Sequence, residues 1–156
     1  VRLEQYFDVQ IITQNVDNLH EQAGSKNVLH LHGELTKARS ERDDNLIVDI
    51  GYNDIHLGDK APDGAQLRPH IVWFGEEVPN IEVAAELCMQ ADVLVVIGTS
   101  LNVYPAAGLT RCVPHGTPIW LIDPKPVQWN SSSTFRHLQM GASQGVAQFM
   151  KELLEE

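Results

Sequence analysis

Cysteine is scarce in this chain of 156 residues: Cys88 and Cys112 are the two, with no C-x-x-C spacing. That excludes a Cys-rich zinc module and a disulfide scaffold. It also hints at a reducing compartment, and the expected location is cytoplasmic. No run approaches the roughly 18 apolar residues a membrane span needs. No signal-peptide pattern opens the chain, because Val1-Arg2-Leu3-Glu4 is charged at once. Positive charge is short as well: 11 Lys+Arg stand against 21 Asp+Glu, a net charge of −10. Nucleic-acid affinity comes from neutralising phosphates with a basic stripe, so neither a nucleic acid nor a membrane is expected as partner. The field suits a cationic partner such as a Lys-rich peptide, or serves solubility alone. Glycine-rich fingerprints are missing too, both G-x-G-x-x-G and the Walker-type G-x-x-x-x-G-K.

What is present reads as an α/β protein. Val9-Gln-Ile-Ile-Thr13, Val28 to Leu35, Ile71-Val-Trp-Phe74, Val93-Leu-Val-Val-Ile97 and Ile119-Trp-Leu-Ile122 are strand candidates, and 136–140 is a weaker one. The run at 93–97 is apolar on both faces, which predicts a central parallel strand covered by helices. Ile81, Ala84, Ala85 and Cys88 recur at i, i+3, i+4 and i+7 and predict a helix over about 80–91. Val146, Phe149, Met150, Leu153 and Leu154 repeat that stripe, with Ser143 as a candidate N-cap. Strands alternating with helices argue a parallel sheet with βαβ crossovers. The stretch 36–67 breaks the pattern with charged and Gly/Pro-rich segments. It reads as a small inserted module or an extended loop.

Several constellations carry possible chemistry. Gly98-Thr99-Ser100 follows the 93–97 strand, where open α/β sheets bind ligands; a plain turn is the other reading. Thr13-Gln14-Asn15-Val16-Asp17-Asn18-Leu19-His20 bunches polar side chains at a strand end. These suit a polar ligand, or form an Asx-rich turn with Asp17 capping a short helix. His30 and His32, two apart on a strand, point to one face. They read as a metal pair with Asp17 or His20, as one catalytic base, or as satisfied structural residues. Gly141-Ala-Ser-Gln-Gly145 matches the nucleophile-elbow pattern, but no Asp or His follows Ser143, so a serine hydrolase is not supported. Trp73 and Phe74 would point to opposite faces of a strand, one in the core and one on a groove, or both in the core. Gly75 beside them permits close approach of a peptide strand.

Four ordered segments together resemble the sirtuin family of NAD-dependent protein lysine deacylases, most like those of bacteria. They are Thr13-Gln-Asn-Val-Asp-Asn-Leu-His20, His30-Leu-His-Gly-Glu-Leu35, Leu67-Arg-Pro-His-Ile-Val-Trp-Phe-Gly-Glu76 and Gly98-Thr-Ser-Leu-Asn-Val-Tyr-Pro-Ala-Ala-Gly108. The likeness extends from about residue 9 to the C-terminus. It implies a Rossmann-like parallel sheet with helices on both faces plus a small inserted module. The division would be 1–35 and 68–156 in the Rossmann-like part and 36–67 in the module.

The resemblance implies NAD as cofactor, an acyl-lysine protein or peptide as substrate, and nicotinamide and O-acyl-ADP-ribose as products. His32 would be the catalytic base, with Asn15 and Asp17 also in the catalytic set. Gln14, Asn15, Asp17, Gly98, Thr99, Ser100, Asn102, Asp123 and Ala142 would contact the cofactor. Val72, Phe74, Gly75, Glu76 and Val103 would hold the peptide. The chemistry needs one imidazole able to take a proton near neutrality, and no metal.

Two departures from the family accompany this. Most sirtuins carry four cysteines in the small module, and 36–67 has none, so no zinc is expected, and either the Ile and Val residues there pack instead or the module is mobile. The family's opening G-A-G-x-S segment has no counterpart before Val9, so the first βα unit is expected to be missing and this chain to be inactive alone. Two alternatives stay open: a non-catalytic NAD- or ADP-ribose-binding module, and a metal-dependent hydrolase using His30 and His32.

Overall fold

The computed structural model describes residues 1–99, 105–127 and 135–155. The chain divides into two units, Val1–Asn80 and Ile81–Glu156.

In the first unit, β1 (Ile11–Thr13) and β2 (Val28–His30) run parallel, with Ile11 opposite Val28 and Thr13 opposite His30. The crossover between them holds the short helix α1 (Leu19–Gln22). The chain then changes to antiparallel pairing. Strands β3 (Gly33–Ser40), β4 (Ile47–Asp49) and β5 (Leu67–Ile71) form a sheet in the order β4-β3-β5. Its β3–β5 register slips between Gly33 and Ala38, a bulge that bends the strand.

Apolar packing in this sheet is thin. Ala38 and Ala61 are buried, but Ile47 and Leu57 are exposed and Val48, Ile50 and Ile55 only half-buried. The Ile and Val residues of 36–67 therefore do not build a core of their own, contrary to the packing expected of them in place of zinc. Hydrogen bonds hold the module. The Ser40 hydroxyl, fully buried, donates to Asp63 Oδ2 at 2.7 Å and accepts the N–H groups of Arg42 and Asp43. Asp63 Oδ1 accepts the Ala65 N–H at 2.9 Å. The Ser40 hydroxyl, then the Ala65 N–H, hold the Asp63 carboxyl below its ordinary range. One buried hydroxyl thus ties the turn after β3 to the loop before β5.

The second unit carries α2 (Ile81–Met89), β6 (Leu94–Ile97), a 3-10 turn at Ala106–Arg111, β7 (Ile119–Ile122), β8 (Phe135–Leu138) and α3 (Ala142–Glu155). Its sheet is parallel in the order β6-β7-β8, with Ile97 opposite Ile122 and Ile122 opposite Leu138. All four residues of β7 are buried. Among the described residues β7, not β6, is therefore central, and Ile97 is 45% exposed. An apolar pattern on both faces reports coverage, not the number of strand neighbours, and 119–122 is as apolar as 93–97.

Trp120 of β7 and Phe149 of α3 meet edge to face at 5.1 Å, the favoured geometry for aromatic quadrupoles. The Arg136 guanidinium lies 4.8 Å from the Trp120 ring centroid. Gly145 lets α3 approach β7, because a Cβ there would collide with the Ile122 side chain. Ser143 lies inside α3 as its second residue, so it is not the N-cap. Gly141-x-Ser143-x-Gly145 is therefore a packing feature of a helix start.

Candidate active site

The polar loop after β1 is held by its backbone. The Thr13 carbonyl accepts the Leu31 N–H at 2.9 Å, and the Val16 carbonyl accepts the Leu35 N–H at 2.8 Å. Between them, the Gln14 carbonyl faces His32 Nδ1 at 3.0 Å and the Asn15 carbonyl faces His30 Nδ1 at 3.2 Å. Four consecutive carbonyls are thus taken by the 30–35 segment. Thr13 Oγ1 accepts the Asn15 N–H, and Asp17 Oδ1 accepts the Leu19 N–H at the start of α1, an Asx turn. The carboxamides of Gln14 and Asn15 make no hydrogen bond among the described residues, and Asn15 is exposed. Backbone positions the loop, so both side chains stay available for a ligand.

His32 is half-buried just beyond β2. A carbonyl only accepts, so Nδ1 carries the proton and Nε2 keeps the lone pair. Its own carbonyl accepts the Val72 N–H at 2.9 Å, which joins it to the segment after β5. Gly33 follows with φ of 79°, and a Cβ there would collide with the His70 carbonyl. Only glycine allows this approach. His30, by contrast, is buried and has both nitrogens engaged, Nδ1 by the Asn15 carbonyl and Nε2 by Glu21 at 2.9 Å. Neither ring nitrogen is free to face a metal. Among the described residues no group of three or more His, Cys, Asp and Glu is placed to hold a metal ion.

The segment after β5 corrects one expectation. The strand ends at Ile71, and Trp73 and Phe74 lie in a turn, 55% and 101% exposed, with neither in the core. A carboxylate clamp makes that turn. Glu76 accepts the Trp73 N–H at 3.0 Å and the Arg68 guanidinium at 2.9 Å, with Arg39 at 3.4 Å. The Trp73 N–H, then Arg68, hold the Glu76 carboxyl below its ordinary range. The buried Arg39 also pairs with Asp44 at 3.3 Å. Val72 is half-buried, and Gly75 has φ of 92°. Arg39 and Glu21 have no sequence signal, because isolated charges are not periodic, and Arg68 stands in a recognised segment whose sequence does not show its bond to Glu76. Asn80, whose amide donates to the His30 carbonyl at 2.8 Å, likewise has no sequence signal. A pocket of about 420 Å³ opens beside Asp17 and Asn18, walled by Leu35, Ile50 and Tyr52, and does not reach His32.

In the second unit the cofactor candidates gather at the carboxyl edge of the parallel sheet. Gly98 follows β6 with φ of 61°, its N–H donates to the Ile122 carbonyl at 2.9 Å, and the space where a Cβ would stand is open. Asp123 follows β7, is buried, and accepts the Lys125 N–H at 2.8 Å. Its carbonyl faces His137 Nε2 at 2.9 Å. Thr99 is half-buried, and Ala142 is exposed as the first residue of α3. Strand ends with an open glycine and a helix start suit a nucleotide ligand. Ser100, Asn102 and Val103 lie outside the described residues.

Parallel strand pairs, β1–β2 crossing over through α1 and β6-β7-β8 packed with helices, define a Rossmann-like α/β protein. The comparisons with known proteins narrow this. The model of the Sir2 family matches residues 2–105. An NAD-dependent protein deacylase of Bacteroides thetaiotaomicron is 55% identical over 97% of this chain and 67% of its own length. One from Helicobacter pylori is 48% identical over 98% of this chain and 65% of its own. A solved Sir2 homologue in complex with NAD superposes with a TM-score of 0.83 at 34% identity, covering 98% of this chain and 61% of that one. A Sir2Tm structure bound to a propionylated peptide gives 0.74 at 28% identity, over 97% and 67%. The chain belongs to the Sir2 family, and it spans about two thirds of the length of these relatives.

Proposed function

We propose that the protein bearing this chain removes acyl groups from lysine side chains with NAD as co-substrate; its relatives are named NAD-dependent protein deacylases. The observation that carries this reading is His32, whose Nδ1 faces the Gln14 carbonyl, so that in the neutral ring the lone pair falls on Nε2. NAD would supply an activated ribose carbon, to which the acyl oxygen would bond as the bond to nicotinamide breaks and nicotinamide leaves. His32 Nε2 takes a proton from a ribose hydroxyl. Gln14, Asn15 and Asp17 hold the nicotinamide ribose side, while Gly98, Thr99, Asp123 and Ala142 hold the rest of the nucleotide, with Ser100 and Asn102 assigned alongside them. The open Gly98 backbone and the strand-end placement of Asp123 fit that group.

The acyl-lysine peptide lies along Val72, Phe74, Gly75 and Glu76, with Val103 assigned to the same peptide. Glu76 acts there through the turn it clamps. A net charge of −10 favours the basic peptides that surround acylated lysines. Among the described residues no helix is long and apolar enough to cross a membrane. Two free cysteines fit a reducing, cytoplasmic setting. The test pairs calorimetry with NAD and an acetyl-lysine peptide with a nicotinamide-release assay. Binding followed by release supports the enzyme, and binding without release contradicts it.

A further inference from the structure

Of the four ties on the loop after β1, the one from His30 is made by a ring whose other nitrogen faces a carboxylate, Glu21. His30 sits 7% exposed with an acceptor at each ring nitrogen, the Asn15 carbonyl at 3.2 Å and Glu21 Oε1 at 2.9 Å. Carbonyl and carboxylate oxygens offer only lone pairs. A neutral imidazole has one N–H, so it would set a bare nitrogen against one of these oxygens; the imidazolium satisfies both. The carboxyl of Glu21 is on hand to balance the charge. Partial burial pushes it up, but the His30 hydrogen bond, its own backbone bond and the His30 and His20 rings outweigh this and leave it below its ordinary value. Glu21 is the one charged side chain bonded to the ring among the described residues, and His20 stands beside Glu21 on α1.

The position of this pair matters. Glu21 is on α1, Asn15 is in the polar loop, and His30 ends β2. The His30 ring therefore joins the three pieces that frame the loop. Its neighbour two residues on, His32, bonds the preceding carbonyl of the same loop. We infer that His30, held doubly protonated between Glu21 and the Asn15 carbonyl, is a positioning residue that fixes the Gln14 carbonyl and so the tautomer of His32. The structural part of this stands on geometry. Its consequence for turnover rests on the deacylase reading above.

The test is nitrogen NMR of the full protein labelled in its histidine rings. At about pH 7.5, where an unperturbed imidazole is mostly neutral, His30 is expected to show two protonated nitrogens and His32 a protonated Nδ1 with a bare Nε2. Glu21→Gln should return His30 to one proton and mix the two tautomers of His32, with the circular dichroism unchanged. A wild-type His30 with one bare nitrogen overturns the proposal even if no variant folds. So does a Glu21→Gln protein that keeps both protons. In turnover, Glu21→Gln should lower kcat/KM by about tenfold to a hundredfold, with peptide affinity unchanged and the pH profile displaced. If the ring signals behave as stated and the wild type releases no nicotinamide, the clamp stands and the deacylase reading fails.

Discussion

At the residue scale, single atoms decide most of the site. His32→Ala removes the imidazole, which among the described residues makes one bond, to the Gln14 carbonyl. Turnover should fall by about 100-fold or more, with the thermal midpoint lowered only slightly in a melting scan. Gly33→Ala has the opposite profile. It needs a residue at φ of 79° and pushes a methyl into the His70 carbonyl. It should destabilise by more than about 1 kcal/mol in urea unfolding and displace His32. The cysteines also differ. Burial pushes the Cys88 thiol up and away from the reactive thiolate, while Cys112 is partly exposed. Mass spectrometry after brief alkylation should find Cys112 modified first. Equal rates would mean that α2 opens readily.

Among elements, the antiparallel sheet is the one whose stability comes from polar bonds. Ser40→Ala leaves the Arg42 and Asp43 N–H groups and the Asp63 carboxylate short of a buried partner. That should cost about 1–3 kcal/mol, with faster amide exchange in β3 and β5 and little change in β7. Asp63 adds a pH dependence. Its folded carboxyl titrates below the ordinary value, so it binds its proton less readily than the unfolded chain does. Its contribution is complete above the ordinary aspartate range and is lost as pH falls through the lower folded value. Asp63→Asn should flatten the fall of stability on acidification in a urea series. An unchanged slope would place the acid sensitivity elsewhere.

Elements are also where the sequence was read well or badly for identifiable reasons. The β1, β7, α2 and α3 segments have apolar periodicity, and the structure places them within a residue or two of expectation. Trp73 and Phe74 were misplaced because aromatics score as strand formers, whereas the Glu76 clamp that turns the chain comes from Arg39 and Arg68, 37 and 8 residues away. The Ser40–Asp63 tie, 23 residues apart, has no local signature.

On the scale of the whole molecule, family membership was legible because four motifs in fixed order are improbable together. The role of each site residue was less so. Neither His-x-His spacing nor a polar strand end reveals which imidazole is bonded at both nitrogens. The first unit carries His32 and its loop, and the second carries the strand edge with Gly98 and Asp123. Acidic charge runs through the chain, and peptide binding should therefore weaken as salt screens it.

The central claim is that His32 works as the base of an NAD-dependent lysine deacylation. It is tested most directly by nicotinamide release from NAD with an acetyl-lysine peptide, comparing the full protein with its His32→Ala variant. Release that requires the peptide in the wild type, falling by about 100-fold or more in the folded variant, is the predicted result. Undiminished release in His32→Ala would contradict it.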